Sequence, residues 1–247
     1  MADVERVGFF NYELVSDIQS LDVRRGANSG CCVAVCLNTH SFVTALDDLE
    51  FRHALESADV VIPDGEGVCI ACNRLKKRKV KKIAGDDLHK HLLRQVESIC
   101  GKVYYMGSSE EVLGKIVRRI GTEYPNISVR TYSPPMCDEL TREESMRIVA
   151  DIEHFGPDVV FVSMTAPKQE KWICKYREYM STPSVVAAIG AVFDFYAGTS
   201  KRAPQWLVKL KLEWLVRLVK EPKRMWRRVF VSTPRFVKYV WKNRKEI

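Results

Sequence analysis

Along the first 190 residues, short apolar runs alternate with amphipathic stretches. The runs are CVAVCLN (32–38), DVVIP (59–63), KVYYMG (102–107), SVRTYS (128–133), DVVFVSM (158–164) and SVVAAIG (184–190). They are rich in Val and Ile and apolar on both faces, the pattern of strands covered on each side by helices. A shorter strand is predicted earlier, within RVGFFNYEL (6–14). Helical periodicity appears between the runs, as in DDLHKHLLRQVES (86–98) and TREESMRIVADIEHF (141–155). The second of these opens on a Thr141–Glu144 capping box. His89 and His91 fall on what reads as the exposed face of the first. Strand–helix alternation at this spacing predicts an α/β fold, a doubly wound and mostly parallel sheet of Rossmann-like type.

Past residue 200 the pattern changes. Residues 201–247 hold fifteen Lys and Arg against three Glu, a net of +12, so residues 1–200 carry −4 of the overall +8. The division expected is an α/β catalytic core over 1–200 and a basic helical appendage over 201–247. Arg217, Lys220, Arg224 and either Arg227 or Arg228 recur at steps of three and four, which places them on one helical face. Pro222 should stand near the start of a second helix. Arg235, Lys238, Lys242 and Lys245 form a later basic stripe, and four of the five tryptophans (Trp206, Trp214, Trp226, Trp241) lie in the same appendage. Basic residues interleaved with Trp and Phe suit an anionic membrane surface. A solvated helix pair packed on the core by its aromatics is the plainer alternative.

Other features narrow the class. The best apolar run, VVAAIGAVF, ends at Asp194 and is too short to span a bilayer. MADVERVGFF lacks the layout of a secretory signal, so a cytoplasmic location is expected. Most of the eight cysteines lie inside apolar segments, where free Cys acts as a small hydrophobe. Cys69 and Cys72 form a CxxC with no second pair at zinc spacing, so reduced core thiols are expected and no metal.

In doubly wound sheets, ligands bind beyond the carboxyl ends of the strands. The predicted strand ends carry Asn38-Thr39-His40, Asp64-Gly65-Glu66-Gly67, Gly107-Ser108-Ser109, Thr165 to Gln169, and Gly190 leading to Asp194. Each has an ordinary explanation. Pro63-Asp64-Gly65 reads as a turn, Asn38 as a helix cap, Gln169 as a solvated first-turn residue and His40 as a loop histidine. The dinucleotide and Walker fingerprints are both missing. No nucleophile, base and orienter can be assembled from spacing.

Taken together, LNTHSFV, DLEFRHALESADVVIPDGEGV, KIAGDDL, VFVSMTAPKQEKWI, GAVFDFYAGTSKRAPQW and LEWLVRLVKEPKRMWRR resemble, in order and spacing, the WecG/TagA/CpsF family, glycosyltransferase family 26. The resemblance runs from about Val33 to Arg228. It implies transfer of a sugar, N-acetylmannosamine or its uronic acid, from a UDP donor to N-acetylglucosamine on a polyprenyl diphosphate. The expected reaction inverts the anomeric centre with neither metal nor cofactor, on the inner face of the cytoplasmic membrane. Asp64 then matches the general base, and Asn38 and Gln169 match polar site residues. Arg217, Arg224 and Arg227 match the basic appendage that completes the site. Members often carry Thr where this chain has Cys36.

An inverting transfer needs a carboxylate to take the acceptor proton, and a strand tip holds one firmly. With no Asp-x-Asp pair to clamp magnesium, arginines are suited to the leaving diphosphate. Backbone N–H groups near Gly65 and Gly107 are further phosphate-holding candidates. Two rival classes remain at this point: a nucleotide-dependent enzyme whose basic tail binds nucleic acid, although no nucleic-acid module appears, and a non-catalytic membrane adaptor. The donor sugar and oligomeric state are left open.

Overall fold

The computed structural model describes residues 6–23, 31–76, 80–183, 185–200, 213–220 and 222–245. The six predicted strands form β3 (Cys32–Leu37), β4 (Val60–Pro63), β5 (Lys102–Gly107), β6 (Ser128–Tyr132), β7 (Val159–Ser163) and β8 (Val185–Ala188). The single early strand expected from RVGFFNYEL is instead a hairpin, β1 (Arg6–Phe9) and β2 (Tyr12–Val15). Phe10 reverses the chain there at a left-handed φ of 52°, a conformation that bulky residues rarely adopt and sequence pattern does not announce.

The eight strands join in one sheet of order β1-β2-β4-β3-β8-β7-β5-β6, and only the β1–β2 pair is antiparallel. The doubly wound α/β expectation holds. β5, β7 and β8 are buried almost throughout, as central parallel strands must be, whereas edge strand β6 is half-covered. Helices α1 (Thr39–Asp47), α2 (Leu49–Glu56), α3 (Glu66–Lys76), α4 (Gly85–Ser98), α5 (Glu110–Glu123), α6 (Arg142–Phe155), α7 (Lys168–Tyr176) and α8 (Val192–Tyr196) follow the strands. Two apolar clusters lie on the two faces of the sheet: side chains alternate along β7, Val160 and Val162 going to one cluster, Val159 and Phe161 to the other.

Two local expectations need correction. His89 is fully buried, at 0% exposure, and pairs with the Tyr105 hydroxyl at 2.6 Å. Burial holds its pKa down to about 3, so it is a neutral core histidine. His91 is half-buried and bonds the Leu21 carbonyl at 2.9 Å. At α6, Thr141 caps the Glu144 N–H at 3.1 Å, but the Glu144 carboxylate turns to the Tyr132 hydroxyl and Arg147, so only half of the capping box forms.

The described tail comprises α9 (Glu213–Lys220), α10 (Pro222–Trp226), a π-helical stretch Arg227–Ser232 and α11 (Thr233–Lys242). Pro222 opens α10, where its missing N–H costs nothing. Phe236 on α11 is 2% exposed. It packs perpendicular to Phe42 of α1 at 5.2 Å and beside Phe9 at 6.3 Å, while Tyr239 meets Phe10 and Phe42 at 5.4 and 5.5 Å. Arg235 grips Asp47 with both guanidinium nitrogens. The sequence stripe Arg235 to Lys245 was expected to face lipid; Arg235 is engaged with the core instead.

Candidate active site

A cleft of about 1690 Å³ opens over the carboxyl ends of the parallel strands. Its floor is built from neighbouring strand tips. The Asp64 N–H donates to the Leu37 carbonyl at 2.9 Å, carrying the β3–β4 ladder one residue past β4 and fixing the Asp64 backbone at the cleft edge. Gly65 follows at a φ of 132°, which lets the chain turn straight into α3. A Cβ on Gly67 would come within 2.4 Å of the Thr39 methyl, so glycine there allows the two loops to touch.

Asn38 both caps a helix and lines the cleft. Its Oδ1 accepts the N–H groups of His40 and Ser41 at 3.0 Å each, capping α1, and Ser41 Oγ returns the bond to the Asn38 N–H at 2.8 Å. The capped residue also lines the cleft, so its amide nitrogen is the group left to face a ligand.

Gln169 is not a solvated first-turn residue. It is 4% exposed; Oε1 accepts the Met164 N–H at 3.2 Å and Nε2 donates to Glu170 Oε1 at 2.8 Å. Glu170 is 3% exposed, and burial pushes its carboxyl up to about 7. Cys36, also on the floor, has its thiol raised far above the usual range, first by burial and then by the Asp64 and Glu170 carboxylates. It is an inert thiol at neutral pH.

Of the two glycines, Gly65 lines the cleft and Gly107 does not. A Cβ on Gly107 would sit 2.1 Å from the Ser163 carbonyl oxygen, so this glycine lets β5 and β7 end side by side. Ser108, at a φ of 61°, and Ser109, which caps α5, reach the cleft in its place.

The tail forms one wall, through Trp214, Met225, Arg228, Val229 and Thr233. The stretch is anchored beside the floor by His40 Nδ1 and Ser232 Oγ, 2.8 Å apart. Met225, Val229, Ser232 and Phe236 follow one another at steps of three and four along the inward side, with Arg228 next to Val229. Arg227 is exposed and turned toward Asp47, whose carboxyl it helps hold below the usual range after the larger effect of Arg235. The predicted Arg227 thus stays off the cleft lining and Arg228 occupies it. The side chains of Arg217 and Arg224 lie outside the described residues.

Among the described lining residues, ten carboxylates face five cations. Three of the cations are committed to rim partners: Lys168 to the Cys137 carbonyl at 2.9 Å, Lys171 to Asp48 at 2.8 Å and Lys175 to Glu139 at 3.3 Å. Lys82 and Arg228 complete the five, each with interactions of its own. Also among the described residues, no three His, Cys, Asp or Glu side chains gather in a metal-holding group.

The sequence profile of the Glycosyl transferase WecG/TagA/CpsF family matches residues 9–247. The chain belongs to that family. Its relatives include the N-acetylglucosaminyldiphosphoundecaprenol N-acetyl-beta-D-mannosaminyltransferase of Bacillus subtilis (strain 168), 31% identical over 98% of this chain and 91% of the relative. The like-named protein of Staphylococcus aureus (strain MW2) is 28% identical over 99% of this chain and 94% of its own length. Within this glycosyltransferase, sequence reasoning overlooked Glu170 and left Arg228 undecided against Arg227. A signal for Glu170 was present: Gln169, Glu170, Trp172, Ile173 and Tyr176 share one face of α7, so the carboxylate falls on an otherwise apolar stripe.

Proposed function

We propose that this chain transfers N-acetylmannosamine from a UDP donor to N-acetylglucosamine carried on a polyprenyl diphosphate, with Asp64 as general base. The observation that carries the reading is Asp64 itself, a carboxylate residue whose backbone is fixed by the β3–β4 ladder at the edge of a cleft large enough for two substrates. The names of the relatives support the acceptor and the sugar. In the step, the acceptor hydroxyl gives its proton to Asp64 as its oxygen bonds to the anomeric carbon. The bond from that carbon to the donor phosphate oxygen breaks, and UDP departs with the electron pair. Attack from the face opposite the leaving group inverts the centre.

A largely acidic lining needs cations for two diphosphates, and Arg228 and Lys82 are placed to supply them. We place the enzyme peripherally on the inner membrane face. Trp226 and Phe230 stack at 4.3 Å, and with Val237 and Trp241 they are exposed beside Lys238 and Lys242, a combination suited to anionic lipid. No helix among the described residues is long and apolar enough to cross a membrane.

The test is incubation of the purified chain with UDP-N-acetylmannosamine and lipid-linked N-acetylglucosamine. Disaccharide product and stoichiometric UDP are expected, with activity surviving EDTA. UDP release indifferent to the lipid acceptor would overturn the reading. Activity lost on chelation and restored by magnesium would overturn its metal-free part.

A further inference from the structure

One buried carboxyl oxygen on the cleft floor lacks a hydrogen-bond partner: Oε2 of Glu170. The rest of that side chain is well fixed. Oε1 accepts from Gln169 Nε2 at 2.8 Å, and Gln169 is itself tied to the Met164 backbone. Gly190 adjoins this pair at a left-handed φ of 52°, and a Cβ there would stand at an ordinary contact distance, 3.8 Å, from both polar ends of the Gln169 amide.

The location relative to Asp64 is informative. The tips of β4, β3, β8 and β7 stand in that order. At about 4.8 Å between strands, three steps separate the tip bearing Asp64 from the one leading to α7, roughly 14 Å. Cys36, on the strand between, senses both carboxylates. The interval accommodates one sugar ring whose anomeric carbon lies near Asp64 and whose far side lies near Glu170. A buried acceptor with nothing to accept from is an arrangement that a ligand hydroxyl or N–H completes, and that rejects ligands lacking the donor group. Burial, offset only in part by hydrogen bonds from Gln169 and the Glu170 backbone, pushes the carboxyl up to about 7, consistent with an acid whose ionised form is incompletely matched.

Resting on the UDP-sugar reading above, we propose that Glu170 is a specificity-determining residue: its second carboxyl oxygen accepts a hydrogen bond from a hydroxyl or the N-acetyl N–H of the transferred sugar. The donor is therefore recognised in two parts, the nucleotide diphosphate elsewhere in the cleft and the sugar at Glu170.

The test compares binding of UDP and of UDP-N-acetylmannosamine to the full chain and to Glu170→Gln by calorimetry. Glutamine keeps the volume and an acceptor for Gln169. The expected result is a UDP Kd within about twofold of the wild type and a UDP-N-acetylmannosamine Kd raised about tenfold or more. Equal weakening of both ligands, or no change in either, would overturn the proposal. A wild-type chain that binds neither ligand would instead remove the UDP-sugar reading. Donor analogues lacking each sugar hydroxyl in turn, or the N-acetyl N–H, identify the group. One analogue should lose about a hundredfold in kcat/KM with the wild type, and far less relative to the full donor with Glu170→Gln. If Glu170→Gln fails to fold, Glu170→Asp takes its place, and a wild-type series in which no analogue loses more than about tenfold refutes the proposal.

Discussion

The floor and the tail wall of the cleft are built on different physical principles. The floor is backbone: Asp64, Asn38, Gln169 and Gly190 are held by ladder bonds, a capped helix and buried amide contacts that belong to the sheet. The wall is side chain: Phe236, the Ser232–His40 contact and the Arg235–Asp47 pair tie the described tail to α1. A group that must sit within a fraction of an ångström of a reacting atom is better placed on the first kind of support.

The largest expected effect tests the floor. Asp64→Asn should lower turnover by roughly a hundredfold to ten-thousandfold while leaving the melting temperature near that of the wild type. Near-normal turnover would remove Asp64 from its role. Next is the wall: Phe236→Ala deletes a buried aromatic, a change that typically costs about 3–5 kcal/mol. Here we expect the loss to appear locally, as faster hydrogen exchange in α11 and reduced turnover, with exchange in the central strands unchanged. Equal acceleration across the sheet would show that floor and wall melt together.

A third prediction is a pH profile of stability. The ordinary Glu value is 4.5, and burial pushes Glu170 up to about 7. Between those values the folded chain keeps a proton that the unfolded chain has lost, so this residue's contribution falls as pH rises through the window. The whole fall is on the order of 3 kcal/mol. In the difference between wild type and Glu170→Gln, denaturant unfolding at pH 5 and pH 8 should reveal it. A difference that does not change with pH would show that Glu170 ionises normally.

A smaller contrast separates two adjacent arginines. Arg228→Ala should reduce turnover on a water-soluble acceptor analogue about tenfold or more, through loss of a cation on the cleft lining, whereas Arg227→Ala should leave it nearly intact. The reverse order would place the helical face incorrectly. Smallest of all is Arg235→Ala: its pair with Asp47 is solvent-exposed, and a thermal melt should barely move.

Much of this was legible in the sequence, for identifiable reasons. Parallel strands buried on both faces must read as continuous Val- and Ile-rich runs, so six strands and the sheet type were recoverable, and the polar residues at their ends pointed to the cleft. Asn38 could be read as a cap from its type and position alone. Gln169 and Glu170 were harder: they share a face of α7 with Trp172, Ile173 and Tyr176, but polar residues in a first turn read equally well as solvated, and what packs over them comes from elsewhere in the fold. His89 misled for the same reason: its partner, Tyr105, comes from a strand rather than from its own helix. The choice between Arg227 and Arg228 turned on a π-helical stretch that shifts the register of side chains, and the hairpin turned on a single left-handed Phe10.

The aromatic contacts of that hairpin impose an order of events on synthesis. Phe9 and Phe10 are made before every parallel strand of the sheet, and their partners Phe236 and Tyr239 after all of them. The wall of the cleft therefore cannot be set until the chain as far as Tyr239 has left the ribosome. Until then the hairpin's aromatic face is covered only in part, by Phe42, and is open to chaperones or misassembly. Newly made enzyme is in this way kept from closing its cleft until the sheet that carries Asp64 is already in place.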